Sequence, residues 1–268
     1  TGWQFHGMVF TVPGEHSFWA PSVIELDGTY YMYCSYEFFG DTPDQGGHRE
    51  ALFVSQADNP LGPFGQEKQI LHPFSIDSQI VQNESGLYLF YSTNTFEGDR
   101  IGTYIVVDKM LDPYTPAGHP VPVVVPTLDE EIFRRDRYKP GQHWHTIEGA
   151  CYFREGDWQY VMYSGNCYLQ PTYYIGYARA KTDETDLTKI KFEKVPDDHT
   201  YAPVIRANDW EEGTGHHSVI KKDGVWYAVY HARNVEDDGF EGDRRNARIC
   251  RLEVKDGTIT AHRYPDHI

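Results

Sequence analysis

Three side chains, Asp77, Glu148 and His216, stand in matching places of a recurring sequence unit, and together they could do acid–base chemistry. An Asp and a Glu held across the mouth of an aromatic-lined channel are what cleavage of a glycosidic bond requires. One carboxylic acid protonates the leaving oxygen, and a carboxylate activates water on the opposite face of the sugar. The acid has to stay protonated near neutral pH, which burial and a neighbouring negative charge bring about. Taken singly, an acid beside Gly is as often a turn residue as a catalyst. The catalytic reading rests on polar residues at matching positions of three units.

The elements that must position them are strands. Each unit has a short polar signature, an apolar strand, a tight turn and an aromatic strand. The units run Trp19-Ala20-Pro21 to Ser35, Ile76-Asp77-Ser78 to Ser92, Ile147-Glu148-Gly149 to Ser164, and Gly215-His216-His217 to His231. From signature residue to turn Gly the interval is 8 for Ala20–Gly28, 9 for Asp77–Gly86, 8 for Glu148–Gly156 and 8 for His216–Gly224. Asp-Gly and its relatives between β-rich runs predict hairpins, because Gly accepts the positive φ of a tight turn. A third strand is expected after each unit, at Ala51–Ser55, Gly102–Val107, Tyr173–Ala178 and Ala247–Leu252. Phe96-Glu97-Gly98-Asp99-Arg100 recurs as Phe240-Glu241-Gly242-Asp243-Arg244. The best helical stretch, Asp129 to Asp136, is short.

Signature residues lie 57, 71 and 68 positions apart. Antiparallel sheets of three or four strands at that interval predict an all-β chain folded as a β-propeller, a single domain over residues 1–268. A β-sandwich would leave the shared polar signature unexplained. In a propeller the innermost strands face one channel, which puts Asp77, Glu148 and His216 around one axis.

Composition narrows the partners. The 268 residues carry a formal charge of −16, which disfavours nucleic acid, since its binders neutralise phosphates with Lys and Arg. No apolar run reaches the roughly 18 residues of a membrane helix. The 6 Trp, 20 Tyr and 14 Phe suit strands and, at a site, the faces of sugar rings. Cys34, Cys151, Cys167 and Cys250 show no metal-binding spacing and are expected as buried free thiols, which leans towards a reducing, cytoplasmic location.

With those motifs in that order, the chain resembles the catalytic domain of glycoside hydrolase family 43, five-bladed propellers acting on arabinan, arabinoxylan and xylan. The resemblance rests on Trp19-Ala20-Pro21, Ile76-Asp77-Ser78, His145-Thr146-Ile147-Glu148-Gly149-Ala150, Tyr163-Ser164-Gly165-Asn166 with Tyr173 to Ala178, and Gly213-Thr214-Gly215-His216 leading to Tyr230-His231. Asn59-Pro60-Leu61-Gly62-Pro63-Phe64 is similar to the family's blade-linking turn. The resemblance implies an inverting glycosidase in which Glu148 is the general acid and Asp77 tunes its pKa. His216 resembles the residue that binds a calcium ion, often through water, and indirect contact is expected because hard cations prefer oxygen ligands. Arg245 resembles an arginine that hydrogen-bonds sugar hydroxyls, against the alternative of an exposed loop charge. Trp19 either stacks on the sugar or lines the channel.

The family's general base, an Asp on the first blade, has no counterpart here. Four blades are visible where five are expected, and Glu15, the one acid before Trp19, does not resemble the base motif. Residues missing upstream are expected to account for this rather than a four-bladed descendant. The implied activity is exo-hydrolysis of α-L-arabinofuranosyl linkages in 1,5-arabinan or its oligosaccharides. The alternatives are a β-xylosidase on xylo-oligosaccharides and a non-catalytic sugar-binding propeller. Exposed sheet edges would favour association into oligomers.

Overall fold

The computed structural model describes residues 4–14, 17–37, 49–236 and 244–263. The first blade consists of β1 (Trp19–Leu26), β2 (Thr29–Glu37), β3 (Glu50–Ala57) and β4 (Gly65–Gln69), hydrogen-bonded in that order. The second has β5 (Ile76–Asn83), β6 (Gly86–Thr95) and β7 (Gly102–Asp112), with the short strands β8 (Thr115–Pro116) and β9 (Val121–Val124) both pairing with β7. After β10 (Ile132–Arg134) comes the third blade: β11 (Trp144–Glu155), β12 (Trp158–Gly165), β13 (Tyr174–Lys181) and β14 (Glu193–Lys194). The fourth is β15 (Glu211–Lys222), β16 (Val225–Asn234), β17 (Asn246–Lys255) and β18 (Thr258–His262). All pairings within the blades are antiparallel, while β7 and β11 join in parallel through Gly102–Thr103 and His145–Thr146. The innermost strands follow one another as β1, β5, β11 and β15, the arrangement of a β-propeller.

Tight turns set the registers. Asp27 and Gly28 have φ of 50° and 85°, and Asp223 and Gly224 have 51° and 78°, two positive φ values in succession as a type I′ hairpin needs. Asp256-Gly257, not singled out from the sequence, does the same between β17 and β18, with φ of 49° and 81°. The expected strands all form. The short helical candidate, Asp129 to Asp136, is one 3₁₀ turn (Asp129–Glu131) that runs into β10. With no apolar face to pack at helical spacing, nothing extends that turn.

Aromatic strand faces make the core, one layer between each pair of neighbouring blades. Tyr33, Leu52 and Val54 meet Leu89, Tyr91 and Val106 between the first and second blades. Tyr88, Phe90 and Ile105 meet Ile147, Val161 and Tyr163 between the second and third. Phe153, Tyr160 and Ile175 meet Ala228, Tyr230 and Leu252 between the third and fourth. All four cysteines are free and buried within or beside these layers, as expected.

A buried ion pair fastens the connection ahead of β11. Lys194 Nζ donates to Glu131 Oε1 at 2.6 Å, with side-chain exposures of 5% and 0%. Glu131 also accepts from the backbone N–H groups of Thr127 and Leu128 and from the Tyr174 hydroxyl. Burial holds the Lys194 ammonium below its usual pKa, against the pull of Glu131. Lys194→Met therefore strands a buried carboxylate and should lower unfolding stability by about 3–5 kcal/mol in denaturant titration. A loss below about 1 kcal/mol, the size of a surface pair, would show that the pair is not needed.

Candidate active site

Each innermost strand carries a β-bulge at the same place. The partner registers jump between Trp19 and Ser22, Ile76 and Gln79, Glu148 and Cys151, and Gly215 and Ser218. One residue of each bulge is left-handed: Ala20 at φ 45°, Asp77 at 58°, Gly149 at 65° and His216 at 44°. Such values are uncommon for non-Gly residues, and bulges re-aim side chains beside active sites. This corrects the sequence alignment by one residue. Asp77 and His216 match Gly149, whereas Glu148 matches Ile76 and Gly215, the residue before the left-handed one. The signal was present in Glu148-Gly149, because Gly is the residue that takes a left-handed position without strain.

The three side chains nonetheless converge as expected. One ligand atom each of Asp77, Glu148 and His216 lie within 4.8 Å of one another, and His216 Nε2 is 3.9 Å from Asp77 Oδ1. Asp77 is buried and accepts weakly from Ser92 Oγ at 3.5 Å. Burial pushes its carboxyl up to about 7, opposed by the Gly149 N–H and by Ser92. Burial pushes His216 below its ordinary value, partly offset by Glu148 and reinforced by Arg245. Near neutral pH the Asp77–His216 contact therefore has little ion-pair character.

Glu148 is held from behind. The Tyr173 hydroxyl donates to Glu148 Oε1 at 2.6 Å. Burial and the adjacent Glu148 charge raise the Tyr173 pKa well above 10, so the hydroxyl stays a donor at any working pH. Its ring stacks on His231 with centroids 5.7 Å apart. Gly215 must lack a side chain, since a Cβ there would lie 1.9 Å from Tyr173 Cε1. The sequence does not mark Tyr173 as a site residue, because a contact across 25 residues leaves no local pattern.

Two cavities meet at Glu148. One, of about 230 Å³, is lined by Asp77, His216, Arg245 and Phe18, and the other, of about 160 Å³, by Phe133, Arg137 and Trp144. Trp19, Ile76, Glu148 and Tyr168 belong to both and form their common wall. Arg245 thus faces the site, its guanidinium 4.4 Å from the Tyr168 ring centre, rather than standing on an idle loop. Behind Asp77 and His216 the central channel opens into a space of about 410 Å³. A larger hollow of about 590 Å³, around Trp158 and Arg179 on the flank of the third blade, is far in sequence and lining from these carboxylates. Glu15 lies outside the described residues, and among the described residues the acids lining the first cavity are Asp77 and Glu148.

The donor set also bears on the expected calcium. One imidazole nitrogen and two carboxylates fall short of the six to eight oxygens that calcium takes. These residues fit a hydrated ion held through water and do not make a direct cage.

Residues 2–259 match the family described as glycosyl hydrolases family 43. The chain belongs to that family. A curated relative, named extracellular exo-α-(1→5)-L-arabinofuranosidase, from Streptomyces avermitilis, is 27% identical over 95% of this chain and 54% of its own length. The chain thus spans about half the length of that relative. A crystal structure of a thermostable family-43 glycoside hydrolase superposes with a TM-score of 0.73 at 28% identity, covering 93% of this chain and 77% of the other. The α-L-arabinofuranosidase from Lactobacillus brevis has the same fold, with a TM-score of 0.73 at 20% identity over 91% of this chain and 74% of its own.

The raised pKa of Asp77 makes a stability prediction. A carboxyl whose folded pKa is about 7 binds its proton more tightly folded than unfolded, so stability falls as pH rises from about 4 to about 7. Asp77→Asn, neutral at every pH, should raise Tm by at least about 2 °C at pH 8. It should bring no gain at pH 4. A gain of equal size at both pH values, read by calorimetry, would mean that the ionisation of Asp77 is not the cause.

Proposed function

We propose that the chain is an inverting glycoside hydrolase that releases α-L-arabinofuranosyl units, acting from chain ends on 1,5-linked arabinan or its oligosaccharides. The observation that carries this reading is the position of Glu148 in the wall shared by two cavities. The polar one, with Asp77, His216 and Arg245, suits the sugar to be released, and the aromatic one suits the leaving group.

In this scheme Glu148, oriented by Tyr173, gives its proton to the oxygen between the two sugars as the bond breaks. Arg245 donates to hydroxyls of the released sugar, and Trp19 lies along both rings. Asp77 adjusts the acidity of Glu148 and does not attack. Inverting pairs stand roughly 6.5–9.5 Å apart so that water fits between them. Asp77 and Glu148 approach within 4.8 Å, on adjacent strands β5 and β11, and so share one side of the sugar. Water is then activated from the opposite face by a carboxylate other than these two.

A calcium ion, when bound, would be held through water at His216 and would supply positive charge in the channel. The substrate preference draws support from the name of the Streptomyces relative, which also places that protein outside the cell. Extracellular action is compatible with the four cysteines, since buried thiols are shielded from oxidation whatever the compartment.

Hydrolysis of α-1,5-arabinobiose and xylobiose, with Glu148→Gln as control, tests the reading. Arabinose release should fall by about 10²- to 10⁴-fold in the variant, the usual worth of a general acid. Xylose release instead would move the chain to the β-xylosidases, and undiminished turnover by the variant would remove Glu148 from the acid role.

A further inference from the structure

Among the described residues lining the aromatic cavity the cation is Arg137, and the fold fixes it in place. Arg137 lies in the connection that the Glu131–Lys194 pair anchors. Its backbone N–H donates to Gln142 O at 3.0 Å, Asp136 N donates to His143 Nδ1 at 3.1 Å, and Gly141 N donates to Asp136 Oδ1 at 2.7 Å, so residues 136–143 form a closed turn. The guanidinium carbon of Arg137 is 4.5 Å from the Trp144 ring centre, 5.5 Å from Tyr138 and 5.6 Å from Phe133. A guanidinium held among three rings has its planar fork of N–H groups pre-organised for oxygen acceptors, with little freedom left to lose.

Trp144 is 2% exposed and forms the floor of the cavity. Against it rest Phe96 at 5.3 Å and Tyr138 at 5.9 Å between centroids, themselves 48% and 49% exposed. Phe96 opens the recurring Phe-Glu-Gly-Asp-Arg motif, and Arg100 of the same motif fastens the loop by contacting His145 Nε2 and Asp129 Oδ1, both at 2.9 Å. A continuous path thus leads from Glu148 over Trp144 and Arg137 to two half-exposed rings at the surface. Nothing in the proton-transfer chemistry requires these residues.

We propose that Arg137 determines leaving-group specificity, donating hydrogen bonds to the hydroxyls of a saccharide leaving group at least two sugar units long, whose outer unit lies on Phe96 and Tyr138. This rests on the reading that Glu148 protonates the oxygen between the two cavities. Small aryl leaving groups would reach Trp144 but offer Arg137 few acceptors. Arg137 is therefore a specificity residue whose effect depends on the leaving group, unlike that of Glu148.

The test compares Arg137→Ala and Arg137→Lys on α-1,5-arabinotriose and on para-nitrophenyl α-L-arabinofuranoside. Arg137→Ala should lower kcat/KM for the trisaccharide at least about tenfold more than for the aryl glycoside, the size of one charge-assisted hydrogen bond. The loss should fall in KM rather than kcat. Arg137→Lys, which keeps the charge without the planar fork, should recover only part, and Tyr138→Ala should weaken the trisaccharide more than arabinobiose. Equal losses on both substrates, or none, would overturn the proposal. Calorimetric titration of arabinotriose into Glu148→Gln, with and without Arg137→Ala, needs no turnover. Equal affinities or no binding at all there would also overturn it, whereas failure of the arabinosidase reading shows separately as absence of arabinose release by the unsubstituted chain.

Discussion

The β-bulge on each innermost strand is the constraint on which the site depends. A regular strand turns successive side chains to opposite faces, and in a propeller both faces are taken by neighbouring blades. A side chain can point along the axis only where the alternation is broken. The left-handed residues at 20, 77, 149 and 216 break it four times at one height. Where the left-handed residue is Asp or His, its own side chain enters the channel. In the third blade Gly149 takes the left-handed position and Glu148, one residue earlier, still comes within 4.8 Å of Asp77 and His216. That offset separates Glu148 from its neighbours in position, since of the three only Glu148 lies in the wall between the two cavities.

The electrostatic consequence is a site that works against stability. Asp77 is buried in a channel where its charge is poorly solvated, and burial outweighs two hydrogen bonds in setting its pKa near 7. His216 is driven the opposite way by the same burial. The interblade layers of tyrosine, phenylalanine and leucine supply the compensating stability, and they do so on strand faces the bulge leaves regular. Tyr173 links the two systems, being packed against His231 and the bare Cα of Gly215 at one end and bonded to Glu148 at the other.

What the sequence made legible followed from local chemistry. Asp27-Gly28 and Asp223-Gly224 announce hairpins because two positive φ values demand those residues, and the recurrence of the signature every 57 to 71 residues announces successive blades. The convergence of Asp77, Glu148 and His216 followed from the repeat alone. The one-residue shift of Glu148 did not, because intervals to the turn Gly tolerate 8 or 9 and hide which residue the bulge promotes. Tyr173 and Arg137 were illegible as site residues for another reason. Their partners, Glu148 and Trp144, are fixed by tertiary packing, and neither Tyr-Tyr-Ile-Gly nor Arg-Tyr-Lys-Pro carries a spacing that points to them. Asp129 to Asp136, the best but short helical stretch in the sequence, forms only a three-residue 3₁₀ turn, because no apolar face recurs there at helical spacing.

In the proposed mechanism Asp77 stands beside Glu148 as its modulator and not across the sugar as an attacking group. A separation within 4.8 Å lies close to that of retaining enzymes, in which the second carboxylate is the nucleophile. Proton NMR of the first product formed from arabinobiose distinguishes the two directly. With Asp77 as modulator, β-L-arabinofuranose appears first, from water attacking opposite the leaving group, and the α-anomer follows only by mutarotation. Initial release of the α-anomer would mean that Asp77 forms a glycosyl intermediate, contradicting the role assigned to it.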